Sequence, residues 1–248
     1  MKRFLLAVGI LLLASAARAA EESPAEIFQK ANTAYRSGDP DRATRLYESI
    51  ASRRQANADV YYNLGNAYFK QKKTGRAILS YERARRLDPR DRDIAANLAF
   101  TRGLLEYRVE DKRNWYLKMG GMFLSSFTRE ETAIGALAFS LIFWLGWSLQ
   151  LFTRPLTAWG RAQKIFLVTA VFFTCLWAAK EIHLRDEEAV VLKPQADVRY
   201  GPSYKDQVAF RLGEGIKVRL KKKTEEWSRV LLTNGETGWI LNEEIGVI

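Results

Sequence analysis

Between Ala58 and Pro89 the chain sets small and aromatic residues at eight positions whose spacing leaves room for one local fold. Tyr61, Leu64 and Tyr68 recur at i, i+3 and i+7, one face of a helix. Gly65 lies within that helix and, having no Cβ, lets a second helix cross close to it. Ala77, Tyr81 and Ala84 form the matching face of the second helix. Pro89 closes it, because proline lacks an amide hydrogen and its ring clashes with the preceding turn. One such hairpin cannot bury its own apolar face, so the pattern predicts a stack of related units.

Two neighbouring stretches supply them. Upstream, Phe28, Ala31, Asn32 and Tyr35 align with the first helix, and Ala43, Tyr47 and Ile50 with the second. This alignment makes the turn Gly38-Asp39-Pro40-Asp41 one residue shorter. Downstream, Asn97, Leu98 and Ala99 begin a partial third unit, whose helix is expected to continue through Leu104 and Leu105 toward Tyr107. Five helices are thus predicted between residues 24 and 111. The run from Tyr61 to Pro89 is identified as a tetratricopeptide repeat, which implies an all-α solenoid that binds peptides or partner proteins. The inner face is then a groove lined by Tyr62, Asn63, Asn66, Lys70 and Asn97. An amide can donate to and accept from a peptide backbone, and an ammonium meets a carboxylate. A solvated polar face without a ligand is the competing reading, since polar residues occupy such a face in any case. Asn66 lies about 200° around the helix from Tyr68, so it is expected to point into the groove and contribute little to the core.

The formal charge is +11, and its distribution decides what it means. Lys2, Arg3 and Arg18 account for three charges, and Arg154, Arg161 and Lys164 for three more. Residues 20–131 carry 21 bases against 16 acids and residues 180–248 carry 12 of each, so no basic stripe remains for a nucleic acid to follow. Residues 1–19 read as an export leader: Lys2 and Arg3, the apolar run Phe4 to Leu13, then Ala17-Arg18-Ala19 as a small-x-small cleavage site, with a retained anchor as the alternative. Thr132 to Phe152 gives 21 residues without a formal charge. At about 1.5 Å per residue that is long enough for a hydrocarbon core of roughly 30 Å. Thr128-Arg129-Glu130-Glu131 before it has the form of a capping box. A second span is read at residues 165–182, with Lys164 and Lys180 snorkelling outward and a buried core helix as the alternative. The leader and two spans put residues 153–164 in the cytoplasm and both soluble domains in the periplasm. Residues 112–131 mix Trp115, Tyr116, Lys118, Met122 and Phe127, which suits an interfacial helix or one packed under the repeats.

After residue 183 the pattern changes to period two. Val190 and Leu192, Val208, Phe210 and Leu212, Ile216, Val218 and Leu220, then Val230 and Leu232 alternate with polar residues, between Gly-rich turns. Short alternating strands of this kind predict a small β-barrel. Val198-Arg199-Tyr200-Gly201-Pro202-Ser203, Glu214-Gly215, Trp227, Val230 and Gly238-Trp239-Ile240 resemble the bacterial SH3-like domain. That resemblance implies cell-wall or peptide binding, while Trp239 is read chiefly as a core residue.

Catalytic chemistry finds little material. The one histidine, His183, sits at the edge of a span, and the one cysteine, Cys175, lies inside an apolar run. No phosphate loop, nucleophile elbow or metal-ligand spacing occurs, so no enzyme, metal or cofactor is expected. The expected architecture is a multidomain membrane protein with a repeat domain at 20–111, two transmembrane helices and an all-β SH3-like barrel at 183–248. This order resembles BatE-like proteins of the Bacteroides aerotolerance operon type. The resemblance implies a scaffold working with von Willebrand factor A-domain membrane proteins and a MoxR-type ATPase in stress tolerance. An envelope sensor that binds peptidoglycan through the barrel is the rival reading.

Overall fold

A computed structural model of the chain describes residues 22–53, 56–107, 109–150, 157–185 and 187–248, with side chains at all of these except 150, 157–163 and 183–185. The leader expected at residues 1–19, the end of the first apolar run at 151–152, loop residues 153–156 and the His183 side chain lie outside the described residues.

Five helices form the N-terminal stack: α1 (Pro24–Arg36), α2 (Pro40–Ser52), α3 (Ala58–Lys70), α4 (Thr74–Leu87) and α5 (Arg92–Gly103). Their starts are written locally. Ser23 and Glu26 cap α1 reciprocally, and Asp39, Asn57 and Asp91 cap α2, α3 and α5 through side-chain oxygens. Gly38 makes the α1–α2 turn at φ +83°, a conformation that strains any L side chain. The close crossing at Gly65 is present: a Cβ added there would lie 2.5 Å from Tyr81 Cε1. Tyr47, Ile50, Ile78 and Tyr81 fill the centre of the stack, each almost wholly buried. Unlike the sequence expectation, α5 stops at Gly103. Beyond it Leu105 still packs against the repeat core, beside Ile78 and Gly215, while Tyr107 lies half exposed beside Gly213 of the barrel.

The C-terminal domain is a seven-stranded antiparallel sheet in the order β3-β2-β6-β5-β4-β1-β7. Its strands are β1 (Glu188–Val191), β2 (Gln195–Arg199), β3 (Val208–Gly213), β4 (Lys217–Lys223), β5 (Trp227–Leu231), β6 (Thr237–Leu241) and β7 (Ile245–Val247). Val198, Val218, Val230 and Ile240 point inward and form its core. Trp239 does not. Ile240 faces the core, so the strand's alternation turns Trp239 to the outer face, where it is half-buried.

Between the two domains run α6 (Trp115–Ser125), α7 (Arg129–Gln150) and α8 (Thr157–Arg185). Thr128 and Glu131 exchange backbone and side-chain bonds as the capping box requires, at 2.9 and 3.2 Å. The helical pair is antiparallel, with Arg129 on Glu181 at 3.0 Å near one end and Phe139 stacked on Phe173 at 4.8 Å further along. Residues 157–164, expected in the loop, are helical instead. Beyond Pro155 no further proline interrupts the run, and Ala158, Arg161, Ala162 and Lys164 favour a helix enough to carry Gly160 within it. Both α7 and α8 are long and apolar enough to cross a membrane. A core helix would bury its large apolar side chains, whereas Ile134, Leu141 and Trp144 on α7 and Ile165, Val168 and Phe172 on α8 are each more than half exposed. No residue of α6 is buried, and its C-terminal end, Ser125, shares a cavity wall with Arg85 and Arg86 of α4. Lys180 reverses its expectation. Rather than snorkelling outward it turns inward and donates to Leu124 O at 3.1 Å and Phe127 O at 2.8 Å, because the carbonyls at the end of α6 offer it acceptors.

The barrel packs on α4. Val190 enters the core of the repeats, with Leu192 and Ile248 against it. Glu214 Oε2 accepts from Gly75 N at 2.9 Å, and Arg83 donates to Val247 O at 2.6 and 3.1 Å. Arg90 forks onto Glu131 at the head of α7, with both bonds at 3.0 Å. Repeats and barrel therefore sit together at one end of the α7–α8 hairpin.

Candidate binding groove

The inner face of the stack is built by α1, α3 and α5, and its polar side chains bond to one another in two equivalent tiers. In the first, Tyr47 OH donates to Asn32 Oδ1 at 2.6 Å and Asn63 Nδ2 donates to the same oxygen at 3.2 Å. In the second, Tyr81 OH donates to Asn66 Oδ1 at 2.7 Å and Asn97 Nδ2 donates to it at 3.0 Å. Asn97 Nδ2 also reaches Tyr62 OH at 3.0 Å. The tiers are one constellation read twice along the chain: Asn32, Tyr47 and Asn63 become Asn66, Tyr81 and Asn97. Burial pushes the Tyr47 phenol up to about 12 and raises that of Tyr81 as well, so both remain protonated donors at neutral pH.

Lys70 lies at the rim. Its ammonium stands 3.9 Å from the ring centroid of Tyr35, next to the first tier. Lys70 is exposed, whereas Tyr62, Asn63, Asn66 and Asn97 are half-buried. All five residues expected from sequence thus share one face. The role of Asn66 differs from its expectation: it carries the buried Tyr81 hydroxyl as well as lining the groove. Asn32, Tyr47 and Tyr81 belong to the same constellation, and the repetition of Asn and Tyr between units was the sequence signal for it. Since the barrel occupies α4, it leaves this inner face uncovered.

The barrel's outer face carries a second arrangement. The register pairs Lys222 with Arg229, Arg229 with Trp239, and Trp239 with Arg199. Directly paired residues share a face, so three cations and an indole form one row across four strands. Nearby, Tyr204 packs edge-on against Trp227 at 5.2 Å and remains mostly exposed. Among the described residues no three His, Cys, Asp or Glu side chains are grouped as a metal site would need.

Comparison with known families agrees with this division. The tetratricopeptide repeat family model matches residues 28–92, and the bacterial SH3 domain model matches residues 193–246. The chain therefore carries tetratricopeptide repeats and a bacterial SH3 domain, modules that serve protein–protein interaction. The second match begins after β1, the strand that supplies Val190 to the repeats. No curated protein matches the chain.

Proposed function

We propose that this protein is a non-catalytic adaptor anchored in the bacterial inner membrane by α7 and α8, with repeats and barrel both facing the periplasm. The groove holds an extended segment of a partner protein. Backbone amides of that segment meet Asn63, Asn66 and Asn97, and a carboxylate meets Lys70. The observation that carries this reading is the arrangement of the inner face. Its amides are held in place by the buried tyrosines, so little side-chain entropy is lost on binding. The barrel sits on the opposite helix layer and leaves the face open. The order of parts supports a role of the BatE-like kind, in an aerotolerance or envelope-stress complex with von Willebrand factor A-domain proteins and a MoxR-type ATPase. Purification of wild-type and Lys70→Glu protein from membranes tests it. A partner held by wild type should be lost from the variant while the melting temperature stays within a few degrees. Equal recovery of that partner would refute the groove as its site.

One observation favours a second reading, a sensor that binds peptidoglycan. Trp239 lies outward between Arg229 and Arg199, where an indole face can stack on a sugar and Arg229 can meet a carboxylate. Arg199 is held by Asp197 and the Tyr204 and Asp206 carbonyls. Binding of muropeptides by the full chain, lost in Trp239→Ala, would favour it.

A further inference from the structure

A cavity of about 120 Å³ lies where α4, the barrel, α6 and α8 meet. Arg85, Arg86, Lys180 and Lys217 line it, opposed by Glu82 and Glu188. The carboxylates do not balance these cations evenly. Glu82 is already held by Arg102, by Arg85 at 2.8 Å and by Lys217 at 3.6 Å, and Lys217 lies 2.5 Å from Glu188. Arg85 and Lys217 are therefore neutralised within the protein. Arg86 donates to Ile248 O at 2.8 Å and, among the described residues, pairs with no Asp or Glu side chain.

Lys180 is the outlier. It is 8% exposed, and the bonds it makes are to the carbonyls of Leu124 and Phe127. Two acceptors leave the third ammonium N–H over, and carbonyls carry no formal charge to offset the cation. Of the acids at this end of the helices, Glu131 pairs with Arg90 and Glu181 with Arg129, while Glu130 and Glu131 attract Lys180 through space without pairing with it. A buried cation with no carboxylate in direct contact is costly, and a cavity lined by four cations and two carboxylates beside it is a place for an anion. Ser125 and Ser126 also line the wall, but their hydroxyls donate to Met122 O, so the ligand is recognised by charge.

Position identifies the anion. Lys180 stands two residues from Ile182, where the apolar run of α8 ends. Beside it α6 exposes Trp115, Tyr116, Met122 and Phe123, the side chains found at a headgroup boundary. We propose that this cavity binds the phosphate of an anionic phospholipid headgroup, met by Lys180 and Arg86, the two lining cations that pair with no acidic side chain. The inference rests on α7 and α8 spanning a membrane.

The test uses the full chain in mild detergent, offered phosphatidylglycerol and phosphatidylcholine in equal amounts, with bound lipid counted by native mass spectrometry. Wild type should retain phosphatidylglycerol preferentially. Lys180→Met should weaken that preference roughly fivefold, the share of one cation near a lipid surface, and Lys180→Arg should keep it. Arg86→Gln should lower it too, which preserves the test if Lys180→Met releases α6. Carbonate extraction of membranes separates the two inferences. If wild type resists extraction but shows no preference, the headgroup site is refuted and the spans stand. If wild type is extracted, the spans fail and the site with them. Displacement of the lipid by inorganic phosphate at matching concentration would overturn the lipid assignment in favour of free phosphate.

Discussion

Asn66→Ala separates the present account of the groove from one in which its residues are merely solvated. Tyr81 is 1% exposed, and its hydroxyl donates to Asn66 Oδ1 at 2.7 Å. Truncation leaves that buried donor without its acceptor, at a cost of about 1–3 kcal/mol. Asn97 loses the same acceptor but keeps Tyr62 OH at 3.0 Å, so its share is smaller, about 0.5–1 kcal/mol. Together they amount to about 1.5–4 kcal/mol. For a domain of this size each kcal/mol moves the melting temperature by about 4–8 °C, which puts the expected fall between roughly 6 and 30 °C. Far-UV circular dichroism of the full chain in detergent reads it, with two comparisons. Asn66→Asp keeps an acceptor for both donors and should melt close to wild type. Lys70→Ala loses only an exposed cation–π contact of about 0.5–1 kcal/mol. A wild-type melt for Asn66→Ala would refute the reasoning, because the tyrosine would then not depend on that amide.

Gly65→Leu should destabilise the repeats by about 1–3 kcal/mol, since even a Cβ would meet the Tyr81 ring at 2.5 Å; an unchanged melt would mean that the ring has room to move. Glu82→Gln should destabilise the junction of repeats and barrel by about 3–5 kcal/mol, because three cations would face one another around an uncharged amide. Burial alone would raise the Glu82 carboxyl above its ordinary 4.5, but Lys217, Arg102 and Arg85 together hold it below. Its contribution is therefore present above pH 4.5 and lost as pH falls through the lower folded-state value, so the acid limb of a stability–pH curve should be shallower in Glu82→Gln. Reporter fusions that function only in the periplasm should be silent at Ala158 and active at Glu187; activity at Ala158 would reverse the proposed topology.

What the sequence made legible follows from the range of each interaction. The α3–α4 hairpin is written in spacings of three and four, and Gly65 marks its crossing before any partner is known. The five groove residues were placed on one face by the repeat resemblance, which makes the non-core side of each first helix the inner face, with helical angle used for Asn66. The angle could not say that Asn66 reaches across to Tyr81 on the next helix, although the recurrence of Asn and Tyr between units carried that information. Trp239 was legible and misread: with Ile240 in the core, period two already sends its neighbour outward. Lys180 was not legible. Snorkelling is the default for a lysine at the end of an apolar run, and what overrides it is a pair of carbonyls more than 50 residues away in sequence. Docking of β1 on α4 was hidden for the same reason, since Val190 reads as an ordinary strand residue until the repeats are beside it.

The central claim is that the inner face of the repeats is where a partner is held. Photo-cross-linking in intact cells tests it most directly, with the reactive side chain placed at Asn63 in the groove and, separately, at Arg45 on α2. Asn63 should capture one protein through a single extended segment, Lys70→Glu should abolish the adduct, and Arg45 should not form it. Capture of the same protein from Arg45, or from Asn63 undiminished by Lys70→Glu, would contradict the claim.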